Sequence, residues 1–150
     1  MPGIMGVLVM EGCVKTDIKY VERGGFIFVN LTSHEITIFS DEGIELFKIP
    51  PSGKLIRVNV RQHRAFDIAG VPVNFSKFSE VRGVEILEEL ERMFDKDKQV
   101  VAVMSTIAQQ AIRQMNINTS VIIVSPDTTP QSAVRDENGQ IIGVRAFQIV

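Results

Sequence analysis

Ser105-Thr106 follows an apolar run, Val100 to Met104, and precedes residues at helical spacing. A hydroxyl residue at that point caps a helix, and the free N–H groups of the first turn can receive an anion. The loop Ser125-Pro126-Asp127-Thr128-Thr129-Pro130 follows the next apolar run, Ser120 to Val124. It is therefore expected at the same end of the sheet, where sheets with crossovers tend to bind ligands. Thr128, Thr129 and Gln109 would supply neutral hydrogen bonds to a sugar or base. Arg135 and Arg145 flank the Asn138-Gly139 turn, and arginine grips a phosphate with two hydrogen bonds. The candidate ligand site is thus Ser105, Gln109, Asp127, Thr128, Thr129, Arg135 and Arg145. Three of them also have a plain structural reading: Ser105 as a cap, Asp127 as a turn former, Arg135 as a surface charge beside Asp136 and Glu137.

A second anion site is suggested by Arg57, Arg61 and Arg64. Residues 54–64 carry basic side chains and no acid, the one concentrated basic run in the chain. Catalytic residues are not proposed. Most acids lie on one helical face or in turns, where Asp41-Glu42 and Asp136-Glu137 are explained by hairpins. No nucleophile elbow, phosphate loop or helical His-Glu-x-x-His occurs. A lone Cys13 with His34 and His63 does not make a zinc site, so neither metal nor cofactor is expected. The competing readings are a metal-dependent nucleotide hydrolase using Asp127 or Asp136, and a structural or interaction protein of a mobile element using the basic strip.

The elements that must position these residues are legible in turn signals and periodicity. Phe26 to Leu31 and Glu35 to Phe39 read as strands, and Asp41-Glu42-Gly43 turns the chain into a returning strand, Ile44 to Ile49. Pro50-Pro51-Ser52-Gly53 should end that pairing. Lys54 to Val60 alternates, with Ile56, Val58 and Val60 expected against the core and Arg57 on the other side. Val71 to Phe78 reads as extended. Val84 to Phe94 is an amphipathic helix whose glutamates face water. Residues 100–124 predict a strand–helix–strand crossover, with Ile107, Ala108, Ala111, Ile112 and Met115 as the apolar stripe of the helix. Ala133 to Arg135 and Gln140 to Val150 predict a final hairpin about Asn138-Gly139. The fold class is α+β: a mainly antiparallel sheet with hairpins, two helices and one β-α-β crossover.

The chain has 150 residues, 45% of them apolar and 23% charged, within the range of one soluble domain. Sixteen Lys and Arg against eighteen Asp and Glu give a net charge of −2, which argues against a protein coated for nucleic acid. A single cysteine fits a reducing compartment, and no apolar run is long enough for a bilayer, so a cytoplasmic protein without membrane contact is expected. Residues 1–25 read as an N-terminal arm or extension, either irregular or an extra strand. No basic residue precedes Lys15, so a secretory signal is not indicated, and Met10-Glu11-Gly12-Cys13 is a poor lipoprotein site. Residues 26–150 would be one ligand-binding domain.

Three blocks carry a family resemblance. They are Phe28-Val29-Asn30-Leu31-Thr32-Ser33-His34-Glu35-Ile36 with Ile49-Pro50-Pro51-Ser52-Gly53-Lys54 and Arg57-Val58; Met104-Ser105-Thr106-Ile107-Ala108-Gln109-Gln110-Ala111; and Pro126-Asp127-Thr128-Thr129-Pro130 with Ala133-Val134-Arg135-Asp136-Glu137-Asn138-Gly139 and Ile142-Gly143-Val144-Arg145-Ala146-Phe147. Together they span roughly residues 26–149 and resemble a small phage and prophage family, the anti-Thoeris sponges. The resemblance implies a protein that sequesters a cyclic ADP-ribose-type signal without cleaving it, in the host cytoplasm if phage-encoded. It further implies a homo-oligomer whose pockets use two protomers. Arg135 would then contact the phosphates, Asp127 to Thr129 would close over the nucleotide from the partner, and Ser105 and Gln109 would line the helix side. Some family members hold cyclic oligonucleotides at separate sites, a role the strip at Arg57, Arg61 and Arg64 would fill. Residues 1–25 and the acidic helix at 84–94 have no counterpart in the pattern.

Overall fold

Strands that read as continuous apolar runs are buried on both faces, and they form the centre of the molecule. The computed structural model describes residues 4–9 and 17–150; Cys13 and the Met10–Cys13 segment lie outside the described residues. Its central sheet has six strands in the order β1 (Ile4–Val9), β2 (Asp17–Arg23), β3 (Phe26–Asn30), β8 (Gln99–Val103), β9 (Ile122–Pro126) and β12 (Phe147–Gln148). The stretch read as an arm or extra strand thus supplies β1 and β2, paired antiparallel with each other and, through β2, with β3. β3, β8 and β9 run parallel, and β12 closes the far edge antiparallel to β9.

A second sheet of four strands has the order β10 (Ala133–Arg135), β11 (Ile141–Val144), β4 (Ile36–Phe39) and β5 (Glu45–Ile49). Side chains alternate across the central sheet to make two cores. Ile27, Val29, Val100 and Ala102 face the helices α1 (Ile86–Met93) and α2 (Thr106–Gln114), where they meet Leu87, Leu90, Ala108 and Ile112. Val101, Val103 and Val124 face the four-stranded sheet, meeting Ile36, Ile38, Ile49 and Val144. The result is three layers: helices, sheet, sheet. The class is α+β with mainly antiparallel but mixed sheets.

Four expectations need correction. Pro50-Pro51 does not end pairing altogether, because Pro51 bridges Asn30 in parallel and the Ser52 amide donates to the Asn30 carbonyl at 2.9 Å. The final strand does not run to Val150; the chain leaves the hairpin after Val144 and joins the other sheet as β12. In α2 the buried residues are Ala108, Gln109, Ala111 and Ile112, while Ile107 and Met115 are exposed. Gln109 is thus buried beside the apolar stripe, where its Nε2 donates to the Ile123 carbonyl at 3.0 Å. Finally, Val60 is exposed rather than packed on the core. It lies on β6 (Arg57–Ile68), which pairs with β7 (Val71–Arg82) in a separate two-stranded ribbon. Only the root of that ribbon, at Val58 and Val81, packs against the core.

Candidate binding cleft

The C-terminal ends of β3, β8 and β9 lie at one end of the central sheet, and the loops that leave them build a cleft. Ser105 is extended (φ −66°, ψ 156°) and its Oγ accepts from the Ala108 amide at 3.1 Å, so it caps α2 as its type and place predict. The amides of Thr106 and Ile107 are left without intrahelical acceptors and face outward from the helix start. The Thr106 hydroxyl accepts from Gln148 Nε2 at 3.3 Å, tying the helix start to β12.

The opposite wall is shaped by a side chain that sequence reasoning left unassigned. Asn30 is fully buried at the end of β3. Its Nδ2 donates to the carbonyls of His34 and Ile49 at 2.6 and 3.0 Å, and its Oδ1 accepts from the Thr32 amide and hydroxyl at 2.9 and 2.6 Å. All four hydrogen-bonding positions of the amide are used, and the loop from Leu31 to His34 is held in one shape. The signal was Asn30-x-Thr32-x-His34, a polar group at the end of an otherwise apolar strand.

Between these walls lies a cleft of about 450 Å³. It is lined by Thr32, His34 and Glu35, by Ser105 and Thr106 at the start of α2, by Pro126 and Thr128, and by Ile141 and Ile142 of β11. β11 approaches β4 so closely there that a Cβ on Gly143 would sit 2.5 Å from the Thr37 carbonyl oxygen and clash with the edge of the Phe39 ring. Glycine is required by that contact. A neighbouring groove of about 490 Å³ shares Thr32, His34 and Ser105 and adds Arg57 and Asn59. The two spaces meet at the start of α2.

The candidate residues divide accordingly. Ser105 and Thr128 line the cleft, and Arg57 lines the adjoining groove. Asp127 and Thr129 stand beside it: Asp127 Oδ1 accepts from the Thr129 amide at 3.0 Å, and the Thr129 carbonyl accepts from Ser132 and Ala133. They hold the loop that presents Thr128. Gln109 points elsewhere, into a groove with Ile112, Arg113 and Ile123, where its Nε2 donates to the Ile123 carbonyl at 3.0 Å. Arg135 is exposed and donates to the Gly139 carbonyl within its own turn. Arg145 lies against the Ala133 carbonyl at 3.4 Å. Neither arginine is in the wall of the cleft within one chain. Arg61 and Arg64 lie farther along the ribbon, Arg64 paired with Asp67 at 2.8 Å.

Asp136 Oδ1 accepts from the amides of Asn138 and Gln140, which assigns it to the turn. Glu35, at the cleft's edge, is 3.8 Å from Lys48. Among the described residues no three His, Cys, Asp or Glu side chains gather as a cation site, and no helix is long and apolar enough to cross a membrane. Compared with known proteins, the chain matches no family model, no curated protein and no solved structure.

Proposed function

We propose that this protein is a non-enzymatic, cytoplasmic binding protein that sequesters a cyclic nucleotide signal of the cyclic ADP-ribose type and so counters a host defence. The observation that carries the reading is the meeting of two spaces at the capped start of α2, one walled by Ile141 and Ile142 and the other edged by Arg57. A volume of about 450 Å³ suits a small organic ligand. Outward amides at Thr106 and Ile107 favour a phosphate, because they add donors to the positive end of the helix dipole. Arg57 adds a full positive charge toward a second phosphate. The apolar wall suits a base, and Thr128 and His34 offer polar contacts at the rim.

Arg135, which lies outside the cleft of its own chain, acts across a subunit boundary in this reading, so the protein works as a homo-oligomer. Sequestration needs tight binding without turnover, so the ligand must be recovered intact. The experiment is incubation of the purified chain with a cyclic ADP-ribose-type nucleotide, removal of free ligand, heat denaturation and chromatography of the supernatant. Intact nucleotide in an amount near that of protein is expected. No retained nucleotide, or retention unchanged by Ile142→Arg and Arg57→Ala, would sink the reading; a cleaved product would move it to the hydrolase class.

A further inference from the structure

β6 and β7 are twelve residues each, about 40 Å of strand at ~3.3 Å per residue, and they pair only with each other among the described residues. A two-stranded ribbon is marginal in water without a surface to pack on. From Asn59 to Ile68 every residue of β6 is exposed, so most of this ribbon has no cover within the chain.

The register sorts its side chains. Beyond the irregularities at Asn59/Val60 and Arg64/Phe66, His63 faces Phe75, Phe66 faces Val73 and Ile68 faces Val71. Alternation places these six on one face. Phe66, Ile68, Val71 and Phe75 are 57, 59, 62 and 42% exposed. Phe75 stacks on His63 and carries Lys77 over its ring at 5.5 Å, with Arg61 across from Lys77. The tip is therefore apolar with a basic collar.

Charge separates the ribbon from the rest of the chain. Residues 57–82 hold five Arg or Lys against Asp67 and Glu80, a net of +3; the whole chain is −2, so the remainder is −5. The matching surface lies on the chain itself. The β4–β5 hairpin, at an open edge of the four-stranded sheet, exposes Ile44 and Leu46 beside the turn acids Asp41 and Glu42, while Glu45 is held 3.7 Å from Lys48 and Arg23 donates to the Leu46 carbonyl. Apolar contact with opposite charge is what an isologous interface between two copies requires. Two arms exchanged about a two-fold axis, each some 40 Å by ~10 Å, cover on the order of 800 Å² or more, enough for a stable dimer once both sides are counted.

From this we infer that the β6–β7 ribbon is an assembly arm whose occupant is a second copy of this chain. The inference rests on the proposed function only in giving the required oligomer a place; its evidence is the ribbon. Because Arg57 and Asn59 at the ribbon's root line the groove beside the cleft, assembly also fixes one edge of that site.

The test is light scattering coupled to size exclusion, on the full chain with no nucleotide present. A mass of two chains or more is expected at micromolar concentration, falling to one chain in Phe66→Asp with Phe75→Asp. A monomeric wild type, or an unchanged mass in the variant, overturns the inference. A photo-crosslinking phenylalanine analogue at Phe66 keeps the test open if the double variant does not fold. Chain-to-chain cross-links are expected, and their absence overturns it. Salt-sensitive retention of nucleic acid, or binding to anionic phosphatidylserine vesicles, by a wild type that stays monomeric also overturns it. Because the mass is read without ligand, an oligomer unchanged by the variant overturns the arm alone, a monomeric wild type also removes the two-protomer site, and a failed nucleotide test leaves the arm standing.

Discussion

At the residue scale, two buried contacts decide whether the cleft keeps its shape. Asn30→Ala removes four hydrogen bonds and leaves the His34 and Ile49 carbonyls without that donor. Truncating a buried, fully used amide costs about 2–4 kcal/mol, so chemical denaturation should show a lower midpoint with an unchanged slope. Thr32→Val keeps the Asn30 contacts to the His34 and Ile49 carbonyls, so only about 1 kcal/mol is expected there. Gly143→Ala acts by crowding, because its Cβ would meet the Phe39 ring and the Thr37 carbonyl where β11 lies beside β4. A loss of about 1–3 kcal/mol is expected, with weakened ligand retention, since the same strand carries Ile141 and Ile142. A Gly143→Ala protein as stable as wild type would mean that β11 sits farther from β4.

At the element scale, α1 is anchored through a carboxylate. Glu91 accepts hydrogen bonds from the Thr119 hydroxyl and the Ser120 amide, just before β9 begins. These bonds, the Thr119 hydroxyl first, hold its pKa below the ordinary 4.5. A carboxyl whose pKa is lowered in the folded state contributes its stability above the unfolded value. That contribution is lost as pH falls through the lower folded pKa. Glu91→Gln keeps an acceptor but not the charge. Thermal melts should therefore separate wild type from Glu91→Gln above about pH 4.5 and bring them together in stronger acid. Curves that stay a constant distance apart across that range would remove the carboxylate from the anchor. The cap of α2 gives a second measurement: Ser105→Ala should cost about 1 kcal/mol and also weaken nucleotide retention.

At the scale of the whole molecule, the three-layer body and the ribbon are different kinds of structure. The body's central strands β3, β8 and β9 are packed on both faces. The ribbon is satisfied only at its root. Proteolysis should report that difference: a monomer is expected to be cut first between Arg61 and Lys77, whereas an assembled oligomer protects the same sites. Early cleavage there in a sample of dimeric mass would count against the arm as the interface.

The sequence by itself determined the local chemistry. Strands at Phe26–Asn30 and Gln99–Val103, the turn at Asp136–Gly139, the amphipathic helix at Ile86–Met93 and the cap at Ser105 were all readable. Each depends on neighbours a few residues away, where periodicity and turn preference act. Only the tertiary structure decided that Gln109 turns from the cleft while Thr32, His34, Ile141 and Ile142 enter it. It also decided that Val60 belongs to a free ribbon and that the last strand changes sheets. Those outcomes depend on which distant elements share a wall, and the packing of two sheets and a helix layer sets that. A β-ribbon on the body and one held in water have the same alternation, so alternation alone does not separate them. The cleft's two halves come from residues 32–37 and 105–144, brought together because β3 pairs with β8 across a separation of some seventy residues and β4 pairs with β11.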